Sequence, residues 1–293
     1  MLRDIVCGVK TQINNLVLNQ EDITELALAA FFAGGHILLQ GPAGLGKTQL
    51  ARVLAQALSM SVKREWFVQA TQPYEVFGAY TSQGTGLAAQ VLIAEDVGSA
   101  NTKVKAVLMD TMENQAATIE GRIYPMPEPF FVIATNSAPN TLPEPLNDRF
   151  MMALPISYPG LIAEKQMLQR YHEGALPKAS IPVCNPEAIA QAKEEVRAVR
   201  VEEGIFNYLL SIVETTRRAA AVQTGASPRG SIALLLAAKA YAAIMGRDFV
   251  KKEDVRSLAL PVLRHRIILK PDAVKEGIQP DHIVESILRE GIK

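Results

Sequence analysis

Nearly continuous apolar runs of strand length recur along the first half of the chain. They cover residues 37–40, 66–70, 90–94, 129–135 and 152–156. Strands that are apolar on both faces are typical of a parallel sheet with helices packed on both sides. Helical patterns lie between most of these runs, as in residues 21–33 and 47–59. The pattern predicts an α/β fold with a buried parallel sheet.

The character of the chain changes near residue 175. Residues 174–186 contain three prolines and no clear hydrophobic period, which is typical of a linker. Beyond it no strong strand signal is present, and helices are predicted over residues 186–199, 203–221, 228–245, 252–266 and 281–290. We therefore predict two domains, an α/β core over residues 1–180 and an all-helical domain over residues 185–293.

Composition and charge narrow the classes of function. The 293 residues include 30 Lys and Arg against 30 Asp and Glu, so the formal net charge is zero and gives no overall attraction to nucleic acid or anionic lipid. Cys7 and Cys184 are too few for a disulfide framework, which favours reduced thiols in the cytoplasm. The first residues lack the apolar stretch of a signal peptide, and the most apolar segment, residues 26–39, is too short to span a membrane.

The segment GPAGLGKT, residues 41–48, has the spacing of a phosphate-binding loop and lies between a predicted strand and a predicted helix. Its glycines let the backbone approach anionic oxygens, and the helix start favours negative charge. Lys47 would bridge the β- and γ-phosphates, and Thr48 would place its hydroxyl on Mg²⁺. The alternative is a glycine-rich turn without a ligand. We predict a P-loop that binds ATP and Mg²⁺ through Gly41, Pro42, Ala43, Gly44, Leu45, Gly46, Lys47, Thr48 and Gln49.

Two acids, Glu95 and Asp96, follow the apolar residues VLIA. In a P-loop ATPase one carboxylate at this place holds the Mg²⁺ shell, and a second orients the attacking water. The usual order is Asp then Glu, so here Glu95 is predicted to serve the metal and the shorter Asp96 to act as the base. Because catalysis is sensitive to displacements of about 1 Å, we expect nucleotide binding with slow or partner-dependent hydrolysis. The alternative is a pair of solvated carboxylates.

Three further polar residues are candidates for catalysis. Asn136 ends an apolar run and would lie on the γ-phosphate side, although asparagine often ends strands for conformational reasons. Arg149 would reach a neighbouring subunit's phosphate as an arginine finger, or form an ion pair with Asp148 or another acid. Arg229 follows a serine and a proline suited to a helix start, where a cation opposes the helix dipole. A phosphate partner would explain it, and a solvated surface arginine is the alternative.

Taken together, the order and spacing of these motifs resemble the MoxR family of AAA+ ATPases. The matching stretches are GGHILLQGPAGLGKT (34–48), VLIAEDV (91–97), EGRIYPMPEPFFVIATN (120–136), LPEPLNDRF (142–150), GASPRGSIALL (225–235) and VLRHRI (262–267). The resemblance implies a P-loop AAA+ core with a five-stranded parallel sheet of order 5-1-4-3-2, followed by a helical lid. It also implies that Asn136 is sensor 1, Arg149 the finger and Arg229 sensor 2.

The resemblance further implies a mode of action. Family members form rings, commonly hexameric, with ATP at subunit interfaces, so a homo-oligomer is expected. They act as chaperone-like remodellers, often with a partner that carries a von Willebrand factor A domain, in metal-cofactor insertion or complex maturation. ATP is expected between core and lid, and Arg149 of one copy is expected to complete its neighbour's site.

Departures from the family pattern bear on turnover and on partner contact. The acid pair is inverted, and residues 78–90 look shorter than the family's helix-2 insert and lack its acidic and aromatic residues. Residues 98–101 lack the Asn-Arg pair that normally follows the acids. Residues 115–124 are predicted to form the pre-sensor hairpin or a plain edge hairpin. His265 is interpreted as structural, and Trp66 as a core or interface residue.

Two other classes of function stay open. The inverted acids are compatible with a nucleotide-gated scaffold that binds ATP but scarcely hydrolyses it. A nucleic-acid motor is the third class, since related rings include helicases. The neutral charge and a predicted hairpin whose only basic residue is Arg122 argue against it.

Overall fold

The computed structural model of the protein describes residues 1–17, 20–77, 89–137, 142–174 and 180–290. Its first seven strands are β1 (Ile37–Gln40), β2 (Val62–Trp66), β3 (Val91–Glu95), β4 (Ala116–Ile119), β5 (Arg122–Pro125), β6 (Phe131–Asn136) and β7 (Met152–Pro155). Five of them form one sheet in the order β7-β1-β6-β3-β2, with every neighbouring pair parallel. Counted without the separate hairpin β4–β5, this is the predicted order 5-1-4-3-2, and the α/β class is confirmed.

The second strand lies four residues earlier than predicted. β2 spans Val62–Trp66, so the prediction of a strand over residues 66–70 is wrong. The cause is that β2 lies at the edge of the sheet, where one side faces solvent and charged residues are tolerated. Its central residues, Lys63, Arg64 and Glu65, are all charged and leave no apolar run. The other four predicted strands agree with the structure to within two residues.

Alternate residues of β1 face opposite sides of the sheet and enter two separate apolar cores. Ile37 and Leu39 belong to one core, and Leu38 belongs to the other. The first core also receives the helices α1 (Leu2–Leu16), α2 (Glu21–Phe32) and α3 (Lys47–Ala57). The second is closed by α4 (Pro73–Phe77) and α5 (Thr102–Asn114). Burial on both faces explains why the central strands are apolar throughout.

The remaining helices of the described chain are α6 (Glu144–Asn147), α7 (Leu161–His172), α8 (Pro186–Ala198), α9 (Glu203–Arg218), α10 (Pro228–Ile244), α11 (Lys252–Leu263), α12 (Pro271–Lys275) and α13 (Pro280–Glu290). The lid is not all-helical, because β8 (Val222–Thr224) pairs antiparallel with β9 (Ile268–Leu269). Strands of three and two residues are too short to leave a hydrophobic period in the sequence. None of the described helices is long and apolar enough to cross a membrane.

The lid helices share an apolar core with the start of the chain. Val9 of α1, Leu28 of α2 and Ala238 of α10 belong to one continuous cluster of buried residues. Packing therefore continues across the boundary predicted between residues 1–180 and 185–293, and this division stays a prediction.

Helix α7 is the least buried of the longer helices described here. Among its 12 residues, Ala163 alone is buried. Leu161 and Ile162 are 87% and 78% exposed, and Tyr171 near the other end is also exposed. The helix follows β7, the strand that neighbours the P-loop strand β1.

Candidate active site

The loop between β1 and α3 is shaped by glycines. Gly41 has a φ of 149°, and a Cβ there would lie 2.3 Å from the carbonyl oxygen of Ile156. Gly44 and Gly46 have φ of 83° and 77°, in the left-handed region that favours glycine. The Gly41 amide donates to the Asn136 carbonyl at 3.2 Å, which ties the loop to the end of β6. Packing around the loop therefore leaves Gly41 no room for a side chain.

Lys47 begins α3 and is only 7% exposed although it carries a charge. Its Nζ donates to the carbonyls of Gly41 and Pro42, each at 2.6 Å. Burial lowers the pKa of Lys47, and the charge of Asp96 opposes this effect. The loop thus holds an ammonium group at the start of a helix, where anions are favoured. Phosphate oxygens can replace the two carbonyls as its acceptors.

A cavity of about 600 Å³ adjoins the loop. Its described lining is Ala43, Gly44, Leu45, Gly46, Lys47, Thr48, Gln49, Arg52, Arg64, Trp66, Glu95, Asp96, Thr135 and Ser137. The structure therefore brings together residues 43–49 and both predicted acids. Gly41 and Pro42 are not in this lining, but their carbonyls accept hydrogen bonds from Lys47 Nζ. The lid is expected to border this cavity, but no lid residue is among the described residues that line it.

Glu95 and Asp96 end β3 and have different partners. Arg64 of β2 binds the Glu95 carboxylate through Nε and Nη2, with Nη2 3.1 Å from Oε2. Asp96 has a left-handed φ of 52°, and its amide donates to Thr135 Oγ1 at 3.1 Å. Ser99 Oγ donates to the Asp96 carboxylate at 2.7 Å. Both carboxylates line the cavity, but neither is simply solvated.

Arg149 and Arg229 lie together, and neither is among the described residues that line the loop cavity. Both form an ion pair with the carboxylate of Glu113, near the end of α5. They line a second cavity, of about 390 Å³, with Pro145, Asp148, Ser227 and Pro228. Within one copy of the chain, the predicted anionic partner of each arginine is thus a carboxylate. For Arg149 it is Glu113 and not Asp148.

Asp148 and Arg266 hold the lid against the segment that carries Arg149. The Arg266 side chain is 2% exposed and donates from Nε to Asp148 Oδ1 at 2.9 Å. Its Nη2 also donates to the Phe150 carbonyl at 2.7 Å. Ser227 caps α10, as predicted, and donates to Asp148 Oδ2 at 2.9 Å. One carboxylate therefore contacts both the start of α10 and the segment that follows α11.

Comparison with known proteins agrees with this architecture. Residues 36–152 match the ATPase family associated with various cellular activities (AAA), and residues 214–287 match the AAA lid domain. The uncharacterized protein YeaC of Bacillus subtilis is 34% identical over 290 residues, which cover 94% of this chain and 91% of YeaC. Chaperone MoxR1 of Mycobacterium tuberculosis is 27% identical, over 95% of this chain and 79% of MoxR1. The chain belongs to the MoxR family of AAA+ ATPases.

A solved structure supports the assignment of this MoxR-family ATPase. The crystal structure of a candidate ATPase from Cytophaga hutchinsonii superimposes with a TM-score of 0.90 at 28% identity. The match covers 99% of this chain and 95% of that chain. The AAA match includes the P-loop, both acids, Asn136 and Arg149, and the lid match includes Arg229. The predicted family, the ATPase class and the core-plus-lid fold are confirmed.

Two residues of this MoxR-family site were missed or misplaced from sequence. Arg64 is not among the predicted site residues, because the apolar run places the predicted strand after it. Trp66 ends β2, is 68% exposed and lines the cavity, so it is not a core residue. The parallel register pairs Trp66 with Glu95. The charged triplet at residues 63–65 was the available signal for an edge strand that carries site residues.

Asn136 is buried and His265 is partly buried, and neither is among the described residues that line the loop cavity. Asn136 ends β6 and is 2% exposed, whereas the cavity is lined by its neighbours Thr135 and Ser137. His265 Nε2 lies 2.9 Å from the Phe150 carbonyl. Burial, followed by the charge of Arg266, holds the pKa of His265 well below its ordinary value. A partly buried histidine that is held in its neutral form agrees with a structural interpretation.

The donor set of the cavity fits Mg²⁺ bound together with a phosphate chain. The described part of the chain contains no group of three or more His, Cys, Asp or Glu side chains suited to a metal. Mg²⁺ does not need one, because it usually keeps several waters and takes one or two carboxylates plus phosphate oxygens. Thr48, Glu95 and Asp96 border the cavity and supply such a set.

Proposed function

We propose that this MoxR-family ATPase binds Mg-ATP in the loop cavity and hydrolyses it at the interface between two copies of the chain. Hydrolysis would drive chaperone-like remodelling or maturation of a partner protein complex, including insertion of a metal cofactor. The observation that carries the proposal is the buried Lys47 ammonium, held in a loop that Gly41 allows to close against Ile156.

The predicted residues take distinct parts in nucleotide binding. The amides of residues 41–49 would surround the phosphates, and Lys47 would exchange its two carbonyl acceptors for phosphate oxygens. Thr48 and Glu95 would hold Mg²⁺, which when bound screens the charge of the phosphates. Arg64 binds both carboxylate oxygens of Glu95, and each oxygen keeps a lone pair with which it could accept a hydrogen bond from a water bound to the metal.

The attacking water needs an acceptor for its proton. Asp96 is the proposed base, and its carboxylate is oriented by the hydrogen bond from Ser99 Oγ. Asn136 is proposed to assist from the end of β6, next to the strand that leads into the P-loop. These roles follow from position at the carboxyl ends of adjacent parallel strands, where ligands of α/β folds bind.

Arg149 and Arg229 are proposed to act on the nucleotide of a neighbouring copy. They lie together and apart from the described lining of their own loop cavity, which favours action in trans for both. Arginines supplied in this way stabilise the charge of the transition state and raise turnover by about 10³- to 10⁵-fold. The phosphate partner predicted for Arg229 is thus proposed to belong to the neighbour's nucleotide.

Action in trans requires an oligomer, and we propose a homo-oligomeric ring, hexameric as is common in the family. A protein with a von Willebrand factor A domain is the proposed partner. MoxR1 of M. tuberculosis is named a chaperone, which supports a protein client over a nucleic acid. Both cysteines are free, and we propose that the protein acts in the cytoplasm, where thiols stay reduced.

A nucleotide-gated scaffold is the second candidate. The observation in its favour is that Glu95 is bound by Arg64 while Asp96 sits in a left-handed conformation, so both acids are constrained before any ligand arrives. Such a protein would bind Mg-ATP tightly and hydrolyse it slowly.

Calorimetry and turnover assays test both candidates. Lys47→Ala is expected to weaken Mg-ATP binding at least tenfold, because a charge-assisted hydrogen bond contributes about 1.5–3 kcal/mol. Lys239→Ala, which removes a lysine bonded to the Arg197 carbonyl of the lid, should bind like the wild type. Absence of binding heat in the wild type would refute the proposal. Binding without turnover would favour the scaffold.

Mixing two impaired variants tests action in trans. Lys47→Ala copies keep their arginines, and Arg149→Ala copies keep their P-loop. An equimolar mixture should turn over faster than either variant alone, because some interfaces combine an intact loop with an intact Arg149. A mixture no faster than its components would contradict hydrolysis at the interface.

A further inference from the structure

Glu113 is the residue on which two proposed catalytic arginines converge. It lies in the last turn of α5 and is not among the described residues that line the loop cavity. One of its carboxylate oxygens, Oε2, pairs with Arg149 Nη1. The other, Oε1, pairs with Arg229 Nη2. A core helix therefore joins the arginine of the core to the arginine of the lid.

The shared carboxylate removes an electrostatic obstacle. Two guanidinium groups brought to the same place repel each other, and this repulsion is only partly screened at half-buried sites. The Arg149 side chain is 20% exposed and that of Arg229 is 45% exposed. A single negative charge between them lets both occupy one small region without cancelling their net positive charge.

In the contact with Glu113, Arg149 uses Nη1 and Arg229 uses Nη2. A guanidinium carries five N–H donors in a planar fork, and one nitrogen bound to a carboxylate orients the rest. The Nε of Arg149 is buried and has no hydrogen-bond partner within the described residues, so the hydrogen-bonding capacity of Arg149 is not fully used in this arrangement. The contact with Glu113 therefore orients each guanidinium group and does not use up all of its donors.

The hydrogen bonds of Asp148 fix the same arrangement from the other side. Ser227 caps the helix that carries Arg229 and donates to Asp148, the residue before Arg149. The two arginines are therefore held by Glu113 at their tips and by the Asp148–Ser227 contact near their backbones. The pair exists in this arrangement of core and lid, and a shift of the lid would separate it.

We propose that Glu113 is a positioning residue that holds Arg149 and Arg229 as one pair and presents both to the phosphates bound by a neighbouring copy. The inference rests on the function proposed above and adds a coupling to it. If the lid moves away from the core, the ion pairs of Glu113 with the two arginines break. The neighbour's site therefore receives both arginines in productive geometry, or neither of them.

The full chain with Glu113→Gln tests this, since the substitution keeps the shape and removes the charge. We expect kcat for ATP to fall at least tenfold, because misplacing a reacting group by about 1 Å costs up to a hundredfold. KM and the calorimetric affinity for Mg-ATP should stay within twofold, because each copy's own loop is untouched. Glu113→Asp should recover part of kcat. Glu214→Gln is the control, because it removes a carboxylate paired with Arg218 on the lid surface.

A second measurement tests whether Glu113 affects kcat only through the two arginines or also independently of them. In the Arg149→Ala, Arg229→Ala background, adding Glu113→Gln should change kcat no further, because the residue acts through the arginines. Glu113→Gln copies mixed with Lys47→Ala copies should recover turnover, since the latter supply an intact pair. A further loss in the first experiment, or no recovery in the second, would overturn the inference.

Two outcomes identify which idea has failed. If the wild type turns over and Glu113→Gln equals it, or exceeds it because the carboxylate competes with phosphate, the positioning role is wrong and the proposed function stands. If the wild type binds Mg-ATP and shows no turnover, interface hydrolysis is wrong, and the positioning role falls with it.

Discussion

Gly41→Ala is the substitution for which the structure gives the most direct estimate. A Cβ at this position would lie 2.3 Å from the Ile156 carbonyl oxygen, whereas such contacts scarcely occur below 3.0 Å. Ile156 cannot retreat freely, because its amide donates to the Gln40 carbonyl at 2.7 Å. The change therefore forces β1 and the segment after β7 apart at the root of the P-loop.

Two costs add at this position. An L residue at φ near 149° is strained by about 1–3 kcal/mol, and overpacking costs about 1–3 kcal/mol more. Gly41→Ala is thus expected to lower the free energy of unfolding by roughly 2–6 kcal/mol, a large part of the total stability of about 5–15 kcal/mol typical of natural proteins. The Lys47 ammonium would also lose its aligned acceptor at residue 41.

Urea unfolding without nucleotide, followed by circular dichroism, measures this difference. Gly44→Ala is the matched control from the same loop, because Gly44 also has a positive φ but no atom lies within 4 Å of the place that its Cβ would take. It should cost about 1–2 kcal/mol from backbone strain alone. Equal losses for the two variants would refute the steric argument and leave only conformational strain.

Two further predictions concern stability. Arg266→Met should lower the free energy of unfolding by about 3–5 kcal/mol, because Asp148 and buried carbonyls lose their donor. Arg200→Met, at an exposed ion pair, should cost less than about 1 kcal/mol in the same urea titration, and similar losses for both would contradict the clamp. Burial lowers the pKa of His36 to about 4, while the unfolded chain keeps the ordinary value of 6.5. Between these values the unfolded chain binds more protons, so the free energy of unfolding should rise by roughly 3 kcal/mol from pH 4 to pH 6.5. His36→Gln should flatten this rise, and an unchanged slope would exclude His36 as its source.

Local patterns allowed the P-loop region to be predicted closely. Strand β1 and the start of α3 at Lys47 fall where the sequence indicated, because the strand, glycines and helix start are contiguous. The Ser227 cap was foreseen for the same reason. Helix α1 (Leu2–Leu16) is not among the predicted elements, although its apolar positions pack against the core.

Contacts distant in sequence could not be predicted in this way. Glu113 is 36 residues from Arg149 and 116 from Arg229, and no pattern in the chain links them. Arg64 reaches Glu95 only because β2 and β3 are paired in parallel, which follows from the whole sheet. The placement of Arg229 beside Arg149 likewise depends on how the lid packs.

The exposure of helix α7 has a consequence for how the chain behaves before and after the proposed assembly. Twelve-residue helices are marginal in water without packing, and this one buries Ala163 alone. Its opening should require far less free energy than unfolding the sheet, so amide exchange and proteolytic nicking should begin there. A protein surface that covers Leu161 and Ile162 would slow amide exchange and proteolysis in α7. The rates of these two processes would therefore report whether a neighbouring molecule is bound there.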